Sequence, residues 1–143
     1  MRAAALGEVI GASCVGDGDV DVTDVVMDSR RVTAGALFCC VPGEHHDGHD
    51  FAASAVDAGA SALLCERRLD VDATQLVVPD VRAAMAPAAA AVFDDPSAHL
   101  AVVGVTGTNG KTTVVSMITS VLDRAGRSAR GIGTLTGERT TPE

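Results

Sequence analysis

The sequence predicts an α/β fold in which short strands and helices alternate, followed by a separate strand–loop–helix unit near the carboxyl end. Three observations point to it. The 143 residues are 47% hydrophobic but only 2% aromatic, with three Phe and no Tyr or Trp. A core must therefore be built from Val, Leu, Ile and Ala. Fifteen glycines supply tight turns. Short apolar runs alternate with stretches of helical periodicity, each bounded by Gly, Pro or Asp.

Taken in order, Ala3 to Ile10 reads as a short helix stopped by Gly11. Val20 and Val22 alternate with acidic residues, a period of two that predicts an exposed strand. Val25 to Met27 is another short apolar run. It ends in Asp28-Ser29-Arg30, a polar triplet at a strand end, where ligand-contacting loops often begin. Ala36 to Val41 is the next strand, broken by Pro42-Gly43 and followed by the polar loop Glu44-His45-His46-Asp47-Gly48-His49. Asp50 is placed to cap a helix over Phe51 to Ala58, with Gly59 at its end. Ser61 to Cys65 is again a strand, and the strand–helix–strand order makes the pair parallel.

Gln75 to Val78 is a further strand, and Asp80 can cap the Ala-rich helix Val81 to Phe93. Pro87 falls inside that helix and should kink or split it, at a cost of ~3 kcal/mol for an interior position. Asp94-Asp95-Pro96-Ser97 reads as a linker, which divides the chain into domains at 1–97 and 98–143. Leu100 to Val105 is a short apolar strand running into Thr106-Gly107-Thr108-Asn109-Gly110-Lys111-Thr112-Thr113. Thr112 to Ala125 follows as a helix, with Val115, Ile118, Val121 and Leu122 at helical spacing and Gly126 at its end. Ala129 to Leu135 is predicted as another strand.

Composition excludes several classes. The formal net charge is -8, and no basic stripe is visible, which argues against nucleic acid as a partner and against an anionic membrane surface. No apolar stretch approaches the ~18 residues of a membrane span. The apolar part of Met1 to Ile10 is too short and interrupted for a signal peptide, so a cytoplasmic location is expected. Cys14, Cys39, Cys40 and Cys65 form no CxxC pair and fit neither a zinc site nor a disulfide framework, so buried, reduced thiols are expected. His45, His46 and His49 could suggest a metal site, but spacing on a loop is loose and a metal usually needs a fourth ligand, which favours structural or solvent-exposed roles.

The strongest chemical signal is the glycine-rich loop. Glycines let successive backbone N–H groups turn inward, and the helix that follows points its positive end at the same place. Lys111 can reach the β- and γ-phosphates of a nucleotide, and a hydroxyl of Thr112 or Thr113 can ligate Mg²⁺. The general phosphate-loop pattern G-x-x-x-x-G-K-S/T is not met, because Val105 stands where its first glycine belongs; glycines occupy 104, 107 and 110 instead.

That shifted pattern resembles the ATP loop of the Mur ligase family, T-G-T-N-G-K-T/S, here Thr106 to Thr112. Folylpolyglutamate synthetases share a similar loop. The preceding series narrows the resemblance: Asp28-Ser29-Arg30-Arg31-Val32, Gly35-Ala36-Leu37-Phe38, Gly43, Asp47-Gly48, Phe51 and Gly59-Ala60. With Gly131-Ile132-Gly133-Thr134 and Thr140-Thr141-Pro142, it is similar to the MurE-type members, which add the third amino acid to UDP-N-acetylmuramoyl-L-alanyl-D-glutamate.

The resemblance implies a small N-terminal βαβ-containing UDP-sugar-binding domain, followed by the start of a parallel-sheet ATPase domain with its phosphate loop. It implies an ATP- and Mg²⁺-dependent ligase of peptidoglycan synthesis that proceeds through an acyl phosphate and works as a monomer. Met27, Ser29, Glu44, His45 and His46 would contact the UDP part of the substrate, and Thr140 and Thr141 the muramoyl-peptide part. Gly107, Thr108, Asn109, Gly110, Lys111, Thr112 and Thr113 would hold ATP, with Lys111 catalytic and Thr112 on Mg²⁺. The family's central domain runs on past the length of this chain, and a third domain binds the incoming amino acid, diaminopimelate or lysine. The chain is therefore expected to be a fragment whose loop strand and helix lack most of their sheet and expose apolar surface. A module that binds UDP-sugar and nucleotide without turnover is the alternative. A folylpolyglutamate-type ligase is a further one, against which the Asp28-Ser29-Arg30 series argues.

Overall fold

The computed structural model describes residues 1–44 and 46–133. The chain divides after Leu100 into two compact units, Met1–Leu100 and Ala101–Glu143.

The first unit is built on a five-stranded sheet of order β1-β5-β4-β3-β2. Its strands are β1 (Ser13–Val15), β2 (Asp24–Val26), β3 (Ala36–Cys39), β4 (Ala62–Cys65) and β5 (Thr74–Val77). β2 to β5 run parallel, and β1 joins the edge antiparallel to β5. The two central strands, Ala-Leu-Phe-Cys and Ala-Leu-Leu-Cys, are buried at every position. This is why they read as continuous apolar runs rather than as alternating ones: a parallel sheet covered on both faces has no polar side.

Alternate residues serve opposite layers. Leu37, Cys39, Ala62, Leu64 and Leu76 pack against helices α1 (Ala3–Ile10) and α3 (Val81–Val92) through Leu6, Val81 and Ala88. Phe38, Cys40, Leu63 and Cys65 pack on the other face against Ala52 and Ala55 of α2 (Ala52–Asp57). The unit is thus three layers deep, with alanines where helix backbones approach the sheet closely.

Several local expectations hold. α1 ends at Gly11, which is left-handed at φ 67°. β3 and β4, joined through α2, pair in parallel with Phe38 opposite Leu63. Asp80 caps α3 by accepting the Ala83 N–H at 3.0 Å. Others are corrected. Val20 and Val22 form no exposed strand: Asp21 makes one isolated bridge to Arg2, and Val22 is fully buried in the core that also holds Ala3 and Leu6. A period of two says that two faces differ, and here the apolar face is covered by α1. The edge strand β1 is too short, at three residues, to show a period at all.

Asp50 does not start the helix; Asp47 does so one turn earlier, accepting the His49 N–H at 3.0 Å and opening the 3-10 turn Gly48–Phe51 from which α2 continues. Pro87 does not split α3, which runs unbroken from Val81 to Val92. Pro87 and Ala83 are both exposed, so the Ala83 carbonyl that loses its N–H partner can take a water instead.

In the second unit, α4 (Lys111–Arg124) ends at Gly126 with φ 73°. Neither predicted strand forms among the described residues: 101–107 and 129–133 carry no ladder, while Thr134 and Leu135 lie outside the described residues. A strand exists only by pairing, and no described residue offers 101–105 a partner. Val102 is 76% exposed and Val103 67%, as are Met117 and Val121 of α4 at 62% and 65%. The apolar surface expected of this segment is exposed among the described residues.

The thiols divide in the same way. Cys39, Cys40 and Cys65 are buried, but Cys14 on the edge strand is exposed, which corrects the expectation that all four are buried. Burial pushes the Cys39 and Cys40 thiols up to about 12 and Cys65 to about 11. Iodoacetamide at pH 8 is therefore expected to alkylate Cys14 in the folded chain and the other three only after denaturation, as read by mass spectrometry. Rapid native labelling of Cys39, Cys40 or Cys65 would contradict this core.

Candidate functional site

Because β2 to β5 are parallel, the loops leaving their carboxyl ends gather along one edge of the sheet, where ligands of open α/β sheets bind. Met27 follows β2 and is 65% exposed. Asp28 then organises the 3-10 turn Ser29–Arg31. Its carboxylate accepts the Arg30 N–H at 3.1 Å and takes the guanidinium two-pronged, Nε at 2.9 Å and Nη2 at 2.8 Å. The Arg30 side chain, then its backbone N–H, hold Asp28 down at about 2. Asp28 thus does the turn-capping that Ser29 could have done. The Ser29 hydroxyl, half-buried, has no hydrogen-bond partner among the described residues.

The loop after β3 is a tight turn on two posts. Pro42 and Asp47 face each other in an isolated antiparallel bridge, and between them Gly43 N–H donates to the His46 carbonyl at 2.9 Å. Glu44 and His46 are exposed, and the His46 ring stands edge-on to Phe51 with centroids 6.3 Å apart. His45 lies outside the described residues. Just past the turn Gly48 presses on the strand it left: a Cβ there would lie 2.5 Å from Val41 N and 2.6 Å from its carbonyl oxygen. Only glycine permits that approach.

Four residues at this edge escape sequence reasoning. The Asp47 carboxylate accepts the backbone N–H and ring Nδ1 of His49, the latter at 2.5 Å, and Arg67 Nη2 at 3.2 Å. The backbone N–H of His49, then its ring, hold Asp47 at about 2. Arg82, on the first turn of α3, donates to the Pro42 carbonyl at 2.6 Å. Asp47 and His49 are local partners, but Arg67, Glu66 and Pro42, which complete the arrangement, lie 17 to 40 residues from the groups they meet. His46 and His49 do not converge, one being exposed and the other buried, and no group of three or more metal-ligating side chains gathers among the described residues.

The second site lies wholly within the second unit. Gly110 stands at the N-cap of α4 with φ 78° and ψ -3°, a left-handed conformation that turns the chain sharply into the helix. No side chain caps α4, so the N–H groups of its first turn remain free for a ligand. Lys111 curls back over the loop, Nζ donating to the Gly107 carbonyl at 2.6 Å and reaching Thr108 at 3.5 Å. A groove of about 470 Å³ opens beside it, lined by Val105, Lys111, Thr112, Val115 and Thr119 among others. An ammonium, uncapped helix N–H groups and a threonine hydroxyl around an open groove suit a phosphate chain and the hard cation it carries. Thr140 and Thr141 lie outside the described residues.

Comparison with known proteins gives one answer. A family model described as "Mur ligase family, catalytic domain" matches residues 21–108, a span that includes Ser29, Glu44, Asp47 and the start of the glycine loop. The chain is 48% identical over 128 residues to the UDP-N-acetylmuramoyl-L-alanyl-D-glutamate–2,6-diaminopimelate ligase of Geobacillus thermodenitrificans, covering 87% of this chain. It is 45% identical over 134 residues to the protein of the same name from Chlorobaculum tepidum, covering 85%. It spans 26% of the length of each of these curated relatives. Among solved structures, MurF from Acinetobacter baumannii superposes with a TM-score of 0.70 at 31% identity, over 86% of this chain and 27% of that one. MurF ligase from Thermotoga maritima, in complex with ADP, gives 0.57 at 30% identity, over 73% of this chain and 24% of that one.

Proposed function

Since this chain belongs to the Mur ligase family, we propose that it supplies the substrate-nucleotide unit and the ATP loop of the ligase that adds the third amino acid to UDP-N-acetylmuramoyl-L-alanyl-D-glutamate in peptidoglycan synthesis. The observation that carries this is Lys111 folded over the loop Thr106–Thr113 at an uncapped helix N-terminus. Its specificity for the third residue rests on relatives whose names state that acceptor step. We assign residues 1–97 to the UDP-muramoyl-peptide domain and 98–143 to the beginning of the ATP domain of a cytoplasmic, monomeric enzyme.

ATP, when bound, supplies the phosphoryl group that turns the substrate carboxylate, a poor electrophile, into an acyl phosphate open to an amine. The chain's own residues position and neutralise. Gly107, Thr108, Asn109 and Gly110 present backbone N–H groups to the phosphates, and Thr112 and Thr113 extend that cradle into α4. Lys111 balances negative charge as it develops on the transferred group. The Thr112 hydroxyl would hold Mg²⁺ together with the phosphates, a hard oxygen donor on a hard cation. The Ser29 hydroxyl, which has no hydrogen-bond partner among the described residues, is available to the UDP moiety, and Met27, Glu44, His45 and His46 are assigned to the same part of the substrate. Thr140 and Thr141 complete the muramoyl-peptide side of the assignment.

Calorimetric titration of the chain with UDP-N-acetylmuramoyl-L-alanyl-D-glutamate tests the reading. Binding is expected, and Ser29→Ala should weaken it about fivefold, the size of one ordinary hydrogen bond. A folded chain that binds no UDP-muramoyl peptide, or a Ser29→Ala variant that binds unchanged, counts against it.

A further inference from the structure

The turn that carries Glu44 and His46 is braced by a histidine for which the proposed chemistry has no use. The His49 side chain is wholly buried, yet both ring nitrogens are engaged. Nδ1 donates to Asp47 at 2.5 Å, and Nε2 accepts the backbone N–H of Glu66 at 2.9 Å. An Nε2 that accepts a backbone N–H leaves the ring proton on Nδ1, where Asp47 receives it. Glu66 in turn accepts the Val81 N–H at 3.1 Å, at the start of α3. One hydrogen-bonded chain therefore runs from the β3 loop, past the end of β4, to the first turn of α3.

This network ends on the posts of the turn. Asp47 is one post, fixed by His49 and by Arg67. Pro42 is the other, its carbonyl held by Arg82. A buried leucine would fill the same space, but it could not fix Asp47 against Glu66. His49 is the buried member of this network, and a buried polar group with both nitrogens satisfied favours one geometry. We propose that His49 is a positioning residue for the substrate nucleotide: it locks Asp47 to the end of β4 and so sets the Pro42–Asp47 bridge and the Gly43–His46 hydrogen bond that place Glu44 and His46 toward the UDP group, with Arg67 and Arg82 gripping these posts from outside. The inference rests on the assignment of Glu44 and His46 to the nucleotide.

The test uses the full chain with His49→Leu, His49→Asn and Arg82→Met. Each is titrated with UDP-N-acetylmuramoyl-L-alanyl-D-glutamate and with Mg-ATP, and amide hydrogen exchange is followed at Gly43 and Glu66. His49→Leu is expected to weaken UDP-substrate binding about tenfold, to leave Mg-ATP binding unchanged, and to speed exchange at both amides. His49→Asn, which keeps a donor for Asp47 but cannot also reach Glu66, should recover part of the affinity and of the Gly43 protection. Arg82 is exposed, so Arg82→Met folds whatever happens to the histidine variants, and it should weaken UDP-substrate binding in the same direction by a smaller factor. Folded His49 variants that bind the UDP substrate as the parent does, or an Arg82→Met variant without effect where the histidine variants do not fold, overturn the positioning role and leave the substrate assignment standing. A parent chain that does not bind the UDP substrate overturns the assignment itself and takes this inference with it.

Discussion

Replacing Lys111 with alanine is expected to weaken Mg-ATP binding about 100-fold while leaving the melting temperature of the chain where it was. Lys111 is exposed, and among the described residues its ammonium meets only the carbonyls of Gly107 and Thr108 in its own loop. Removing it therefore costs the folded state little, since it leaves no buried group unpaired. The loss falls on the bound state. Each charge-assisted hydrogen bond from an ammonium to a phosphate oxygen contributes roughly 1.5–3 kcal/mol, and about 2.7 kcal/mol corresponds to 100-fold. Lys111→Arg should not restore binding fully, because a planar guanidinium on a longer stem cannot occupy the place of a compact ammonium over the loop. Calorimetry with Mg-ATP, run beside thermal unfolding, separates the two effects. A Lys111→Ala variant that binds Mg-ATP like the parent would remove the phosphate loop from this account.

The second large effect is on stability. Phe38→Ala is expected to destabilise the first unit by about 3–5 kcal/mol, a large share of the ~5–15 kcal/mol that holds a typical domain together. Phe38 is 1% exposed, whereas Phe51 and Phe93 are 39% and 48% exposed, so it is the one phenylalanine of three that fills the core. It sits in β3 between Val26 and Leu63 and faces Ala52 and Ala55 of α2. Alanines have no side chain with which to fill a gap, and β3 is clamped by ladders on both sides, so the cavity stays open. Phe38→Leu should lose much less. Urea denaturation followed by far-UV circular dichroism gives the difference directly. A change of under about 1 kcal/mol would mean that the core does not pack around this side chain as described.

What could be read from the sequence depended on how far away each residue's partner lies. The central strands β3 and β4, the capped helix α3, the helix α4 and the parallel β3–α2–β4 crossover were legible. Their signals are local: a continuous apolar run, an Asp three residues before the N–H it caps, a glycine that ends a helix. The glycine turn proposed to hold phosphate was legible for the same reason, because Gly107, Gly110, Lys111 and α4 meet within a few residues of one another. Ser29 was proposed as a site residue only through its neighbours in the resemblance. That Asp28 caps the turn and leaves the serine hydroxyl unpartnered needed side-chain geometry.

The failures have the opposite character. Leu100 to Val105 carries every local mark of a strand and forms none, because a ladder requires a second chain segment and none of the described residues provides one. Val22 looked solvent-facing until α1 covered it. Cys14 looked like its buried sisters until β1 proved to be the sheet's outer edge. His49 looked like a loop residue because Glu66, which its Nε2 meets, is 17 residues on, and Arg82, which holds the other post of the turn, reaches 40 residues back to Pro42. The sequence by itself determined the helices α1, α3 and α4, the strands β3 and β4 and the glycine turn into α4, all set by steric and hydrogen-bonding preferences within a few residues. Tertiary structure alone decided which strands exist, which faces are covered and which charges hold the nucleotide turn, because pairing and burial depend on residues that only the folded chain brings together.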